Sequence, residues 1–307
     1  MRLTDLGLTF YRKTIKRVHS AHMATHWVMT HGAIPVLESV TKFRTMPDDP
    51  FWFRLELLTS QHETETKALL DQLAQPGMTM LDIGAHVGYY SCRYANVLRK
   101  NGRILAFEPH PRTYATLSQN VRSFANVTPM QVALAETEGT AVLHDYLIMS
   151  ASGSLHYDES MVALQQAQMR ASDVAPRLGE TFQPQTFNVP TAAGDTILAK
   201  QGIERVDLIK MDIEGAELNA LRGLRQTIAN SPTLALVMEY NPNALKAFGH
   251  DPAEALHEVL GMGFVQVQIV QGDGRLTDIT HAQKAIQQLT TQLMEHMGVV
   301  NLLFSCC

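Results

Sequence analysis

Apolar residues along the middle of the chain switch between two periods. Short apolar runs at 78–83, 103–107, 127–132, 206–211 and 234–238 have the length and continuity of buried strands. Between them apolar positions return every three or four residues, as on one face of a helix. Tyr114, Leu117, Val121 and Phe124 make such a stripe over 111–124, and Leu218, Leu221 and Leu224 make another. Asn101-Gly102 stops the helix predicted at 88–100, and Pro109 with Pro111 stops the second strand. Residues 140–143, 264–270 and 299–305 read as further strands. Strands alternating with helices predict an α/β domain with a doubly wound, mostly parallel sheet.

Residues 1–76 stand apart as a mainly helical extension to a domain at 77–307. Leu8, Tyr11, Ile15 and Val18 fall at helical spacing. Asp48-Asp49-Pro50 reads as a turn into Phe51-Trp52-Phe53, whose rings are expected in the core. A helix is predicted over 60–75, ended by Pro76-Gly77. Within the larger domain, 145–200 is an insertion of mixed character. It holds a helix at 158–171 and a polar, mobile connection at 172–186 with Pro176 and Pro184.

Composition narrows the partners. The 307 residues carry a net charge of -5, which offers nothing to nucleic acid. Residues 1–20 run against that trend, with Arg2, Arg12, Lys13, Lys16 and Arg17 against Asp5. That segment either packs with its charged face in water or makes peripheral contact with an anionic membrane surface. No apolar run reaches the ~20 residues that span a bilayer. Cys92, Cys306 and Cys307 form no spaced pairs, which excludes a disulfide framework and points to a reducing, cytoplasmic setting. His22, His26 and His31 lack an accompanying carboxylate or cysteine, so no metal site is assigned there.

The chemistry gathers at the predicted strand ends. Asp82 closes the first strand, and Gly84, Ala85, His86 and Gly88 lead through a turn into a helix opening at Tyr89. The spacing is D-x-G-x-x-x-G, not the G-x-G-x-x-G of a pyrophosphate-binding loop. A carboxylate there suits a ligand with a positive group, such as the amino acid end of S-adenosylmethionine. Glu108-Pro109 ends the second strand, where an acid holds a ribose diol in doubly wound folds. Asp212, Glu214 and Glu239 follow the fourth and fifth strands.

These motifs resemble the FkbM family of class I S-adenosylmethionine-dependent methyltransferases. The resemblance rests on residues 82–91, Phe107-Glu108-Pro109, Val132-Ala133-Leu134-Ala135 and Lys210-Met211-Asp212-Ile213-Glu214-Gly215-Ala216-Glu217, with Asn301-Leu302-Leu303-Phe304 at the final strand. It implies a seven-stranded Rossmann-like sheet with helices on both faces, and S-adenosyl-L-methionine as cofactor. It implies O-methylation of a hydroxyl on a sugar, glycan or secondary metabolite. Asp82, Gly84, Ala85, His86, Gly88, Tyr89, Glu108, Pro109 and Ala133 are then expected around the cofactor, and Asp212, Glu214 and Glu239 face the acceptor. Asp212 is the first choice for the base, and an ion between Asp212 and Glu239 stays open. The 145–200 insertion becomes an acceptor lid, with His144, His156 and Tyr157 on its inner wall. The rivals are a dinucleotide-dependent oxidoreductase or epimerase, which lacks its glycine fingerprint and a Tyr–Lys pair here, and a non-catalytic cofactor-binding module.

Overall fold

The computed structural model describes residues 19–99, 101–146, 149–151, 153–157, 159–170, 183–272 and 274–306. The chain forms two compact units, Met1–Thr64 and Glu65–Cys307. In the first, α1 (His19–Val28) runs through a π-helical turn at Met29–Ala33 into α2 (Ile34–Thr41), and α3 is Phe51–Leu58. Ile34, Phe51 and Leu58 form its apolar cluster. The buried Glu38 carboxylate is held by Arg54 at 3.2 Å and Arg44 at 3.3 Å, so this small core encloses a paired charge. Phe51 and Phe53 are buried, as the aromatic run predicts.

The helix α4 (Thr64–Leu73) begins at the last residue of the first unit, and β1 (Thr79–Ile83) follows it in the second. Then follow α5 (Tyr89–Leu98), β2 (Arg103–Phe107), α6 (Pro111–Val121), β3 (Val127–Met130), β4 (Ala133–Leu134) and β5 (Gly139–Asp145). Next are α7 (Glu159–Arg170), β6 (Gln185–Ala192), α8 (Gly194–Lys200), β7 (Leu208–Met211), α9 (Glu217–Arg222) and α10 (Arg225–Ala229). The chain ends with β8 (Ala235–Tyr240), α11 (Pro242–Ala247), α12 (Pro252–Gly261), β9 (Gln266–Val270), β10 (Leu276–Asp278), α13 (Gln283–His296) and β11 (Val300–Ser305).

Among the described residues, eight strands form one sheet in the order β10-β9-β11-β8-β7-β1-β2-β3. From β3 to β8 every pair is parallel, and β11 enters antiparallel between β8 and β9. All four residues of β7 are buried, as a strand covered on both faces requires. The chain steps outward from β1 to β3, then returns to β1's other side as β7. Right-handed crossovers running in opposite directions place the helices of the two halves on opposite faces. Seven of the strands are those expected; β10 adds a short antiparallel edge.

Among the described residues of 145–200, a strand, β6, and a helix, α8, appear that the sequence pattern does not predict. β6 pairs antiparallel with β5 and parallel with β4, making a second, three-stranded sheet. α8 follows it at once. Only Val189 of β6 is fully buried, and Pro184 and Pro190 read as breakers, so the pattern hid the strand. Pairing with β5 carries it instead. Residues 1–18 and most of the connection predicted at 172–186 lie outside the described residues.

At the junction of the two halves, Gly84 has φ +80 and a Cβ there would lie 1.9 Å from the backbone oxygen of Asp212. Gly202 shares a positive φ of +65 but has open space around it. Gly202→Ala therefore meets only backbone strain, about 1 kcal/mol. Gly84→Ala meets strain plus a collision that must part β1 from β7. Thermal denaturation is expected to show a drop of several degrees for Gly202→Ala at most, and a loss at least about twice as large, or no folded protein, for Gly84→Ala. Equal shifts would show that the junction is not tightly packed.

Candidate active site

The carboxyl ends of β1, β2, β7 and β8 share one edge because those strands are parallel. Sequence order along the sheet reverses between β1 and β7, which is where an open α/β sheet leaves a crevice for ligand. Every predicted acid lies at that edge.

Glu108 follows β2 and is 8 % exposed. Its Oε2 accepts the N–H of His86 at 3.0 Å, and its Oε1 accepts the N–H of His110 at 2.9 Å. Burial pushes Glu108 up to about 7 in spite of those donors. Each oxygen keeps a lone pair for a further hydroxyl. The His110 ring is buried, with Nε2 3.2 Å from Asp145 and its edge against Phe187 at 4.6 Å. The second sheet thus backs the loop that shapes Glu108.

The glycine loop is held from both sides. Gly84 and Ala85 donate their N–H groups to the Phe107 carbonyl at 3.0 and 2.9 Å. His86 has φ +52 and its Nε2 meets the Ser150 hydroxyl at 2.5 Å. Gly88, at φ +88, precedes α5, and a Cβ there would lie 2.7 Å from Leu117. The two glycines therefore serve close packing, on β7 and on α6. Ala85 and Tyr89 are buried, and Pro109 is half-buried. Ala133 lies on β4, packed with Leu143 and Val189 in the second sheet.

Asp82 is fully buried. Ser91 donates to its Oδ2 at 2.5 Å, while Oδ1 has no hydrogen-bond partner. Burial pushes its carboxyl up, and Lys210 opposes that. Lys210 is the register partner of Asp82 across β1 and β7. It is buried, its Nζ lies 3.1 Å from Asp212 Oδ2, and it sits 5.2 Å from the centre of the Tyr90 ring. One cation thereby serves the acids of both strand ends.

Asp212, Glu214 and Glu239 each bring a carboxylate oxygen within 4.8 Å of the others. That spacing lets them share a proton or take a divalent cation together. Glu214 has φ +54. Burial, with Asp212 and Glu217 nearby, pushes it up to about 8. Glu217 is buried and its Oε1 accepts the N–H groups of Ile213 at 3.1 Å and Gly215 at 3.2 Å. It holds the loop that carries Asp212 and Glu214.

Described residues after β5 reach this edge at Ser150 and Ser154. Ser154 pairs with His144 through both backbone bonds, and its hydroxyl donates to the Glu214 carbonyl at 3.3 Å. The His144 ring meets Tyr157 at 5.4 Å and the His156 ring meets Phe248 at 5.5 Å. Lys210, His110, Ser150 and Phe248 carry no assignment in the sequence reading. Lys210 was legible as the first letter of K-x-D, and His110 by its place after Glu108-Pro109. Ser150 and Phe248 become neighbours of the site through tertiary packing alone.

A mostly parallel sheet with a reversal at β1/β7, an acid after β2 and a glycine turn after β1 is the plan of an open α/β fold that holds a nucleotide-type cofactor. The Methyltransferase FkbM domain matches residues 82–265, and the chain belongs to that family. Similar proteins include "Methyltransferase sdnD" of Sordaria araneosa, 27 % identical over 54 % of this chain and 68 % of that protein. "2-O-methyltransferase NoeI" of Sinorhizobium fredii is 25 % identical over 63 % of this chain and 75 % of its own length. "Hexuronic acid methyltransferase AglP" of Haloferax volcanii is 22 % identical over 54 % and 58 %. The protein is an S-adenosylmethionine-dependent methyltransferase. The orphaned Asp82 Oδ1 and the open lone pairs of Glu108 fit that cofactor's ammonium and ribose.

An ionised carboxylate accepts hydroxyl hydrogen bonds more strongly than a neutral acid. Glu108, raised to about 7, loses its charge as the pH falls through that value. S-adenosylhomocysteine is therefore expected to bind several-fold more tightly at about pH 8 than at about pH 6 by calorimetry. Glu108→Gln should bind weakly with that pH difference largely erased. A wild-type affinity that is flat in pH would contradict the placement of the ribose on Glu108.

Proposed function

We propose that the enzyme transfers a methyl group to the hydroxyl of a sugar or related metabolite. The observation that carries this reading is the cluster of Asp212, Glu214 and Glu239, gathered beside the glycine loop at the reversal of the sheet. Bound S-adenosylmethionine supplies a methyl group already activated by its sulfonium. What the chain adds is position and a proton acceptor.

In this reading Glu108 would take the two ribose hydroxyls, and the buried, unpartnered Oδ1 of Asp82 would meet the ammonium. Gly84 to Gly88 lets the cofactor lie close to the backbone, with Ala85, His86, Tyr89 and Pro109 around it. Ala133 would contact the adenine. Lys210 fixes the Asp212 carboxylate, which accepts the proton of the acceptor hydroxyl as the O–CH3 bond forms and the S–CH3 bond breaks. Glu214, raised to about 8, holds a proton at neutral pH and donates a hydrogen bond to the acceptor. Glu239 orients a second hydroxyl. The 145–200 insertion acts as the lid, with His144, His156 and Tyr157 facing the acceptor.

The sugar class is supported by the names of two similar proteins, which are a 2-O-methyltransferase and a hexuronic acid methyltransferase. A row of acids that accept hydrogen bonds suits a polyhydroxylated ligand. The cysteine pattern supports a cytoplasmic setting.

Methyl transfer from labelled S-adenosylmethionine to a panel of glycosides, uronic acids and phenols tests the reading. Asp212→Asn is expected to lower kcat by about 10²-fold or more while S-adenosylhomocysteine affinity stays within about threefold. Wild-type turnover in Asp212→Asn would remove it as the base. Transfer confined to nitrogen or phenolic acceptors would overturn the sugar assignment.

A further inference from the structure

We propose that Tyr157 is the platform on which the acceptor's sugar ring stacks, with the His144 and His156 imidazoles beside it as partners for the sugar hydroxyls. The inference deepens the sugar reading above and rests on it for its place in the reaction. Tyr157 is 39 % exposed. Among the Phe, Tyr and Trp residues described in the second unit it alone is exposed, and the others are buried or half-buried. Its backbone and ring are both held. The ring meets His144 at 5.4 Å and an interplanar angle of 68°. His144 is paired with Ser154 by backbone bonds of 2.8 and 3.0 Å. The Ser154 hydroxyl donates to the Glu214 carbonyl at 3.3 Å and accepts the His156 N–H at 3.1 Å. The buried Tyr146 donates its hydroxyl to the His156 carbonyl at 2.9 Å, and the His156 ring lies 5.5 Å from Phe248. Three residues span at most about 11 Å, so Tyr157 stays close to the loop that carries Glu214.

That loop is packed against the same rings. Gly215 has φ +101, and a Cβ there would lie 2.8 Å from Phe248 and from the backbone of Ala244. The bare glycine lets Phe248 close on the loop. Two ring pairs, His144 with Tyr157 and His156 with Phe248, thus flank the loop that brings Asp212 and Glu214 to Glu239. These two kinds of surface match the two kinds on a β-glucopyranose. Its hydroxyls point outward around the rim, toward acids and imidazoles. Its axial C–H bonds make both faces apolar, and the negative face of an aromatic ring receives them. Burial pushes the His144 imidazole down, and His156 acts in the same direction. A neutral imidazole offers one donor and one acceptor, which is what adjacent hydroxyls need. An acyclic polyol has the hydroxyls without a flat apolar face. A catechol has the face but too few hydroxyls for the row of acids. The combination selects a sugar in its ring form.

Saturation-transfer NMR on the full chain with saturating S-adenosylhomocysteine tests the platform without requiring turnover. The probes are methyl β-glucopyranoside, methyl β-galactopyranoside and methyl β-glucuronopyranoside, with glucitol as the acyclic control and catechol as the aromatic one. At least one pyranoside is expected to bind, with the protons of one ring face taking up more saturation than those of the other. Tyr157→Ala should weaken it about tenfold and erase the difference between faces, while Tyr157→Trp keeps both. Unchanged S-adenosylhomocysteine affinity in the two variants serves as proof of folding. Absence of binding by every pyranoside would overturn the proposal. So would a pyranoside bound equally well by Tyr157→Ala, or glucitol or catechol binding more tightly than all three. A pyranoside that stacks on Tyr157 yet is never methylated from labelled S-adenosylmethionine counts against the sugar reading and leaves the platform standing.

Discussion

The site depends on the contact between the ends of β1 and β7. These strands are neighbours in the sheet but far apart in sequence, so the fold must bring them together before any chemistry exists. The absence of a side chain at Gly84 lets the backbone of Asp212 close on it. Behind that contact, Lys210 sits as the register partner of Asp82 and as the ion-pair partner of Asp212. A buried ammonium is stable only when its neighbours compensate it, and removing one partner of such a pair costs about 3–5 kcal/mol. The same cation therefore links the acid of β1 to the acid that follows β7.

Around that link the acids differ in environment more than in kind. Asp82 is buried inside the wall, and Glu108 sits between two backbone N–H donors. Glu214 is crowded by Asp212 and Glu217. Burial raises all three, and the neighbours decide how far. Such sorting by environment gives carboxylates along one sheet edge different affinities for a proton. Glu217 supports the row from beneath by fixing the Ile213–Gly215 backbone.

The sheet and its acids were legible in the sequence because strand ends carry both. Apolar runs in 78–83, 103–107 and 206–211 mark the strands, and Asp82, Glu108 and Asp212 stand at their ends. The reading of Gly84 was incomplete, since its lack of a Cβ serves the packing of β7 as well as access for a ligand. β6 was hidden because only Val189 is buried and two prolines interrupt the pattern. Its order comes from pairing with β5, which no local window contains. His110 with Asp145, and His86 with Ser150, are likewise meetings of distant segments. They tie the second sheet and Ser150 to the glycine loop and the turn after β2. Side chains placed by tertiary register leave no periodic trace, whereas strand ends and glycine turns do.

The most direct test is a crystal structure of the complex with S-adenosylhomocysteine. The account predicts both ribose hydroxyls within about 2.6–3.2 Å of the Glu108 carboxylate. It also predicts the sulfur facing the cluster of Asp212, Glu214 and Glu239, on the β1/β7 side of the sheet. A ribose held away from Glu108, or a sulfur turned away from those acids, would contradict it.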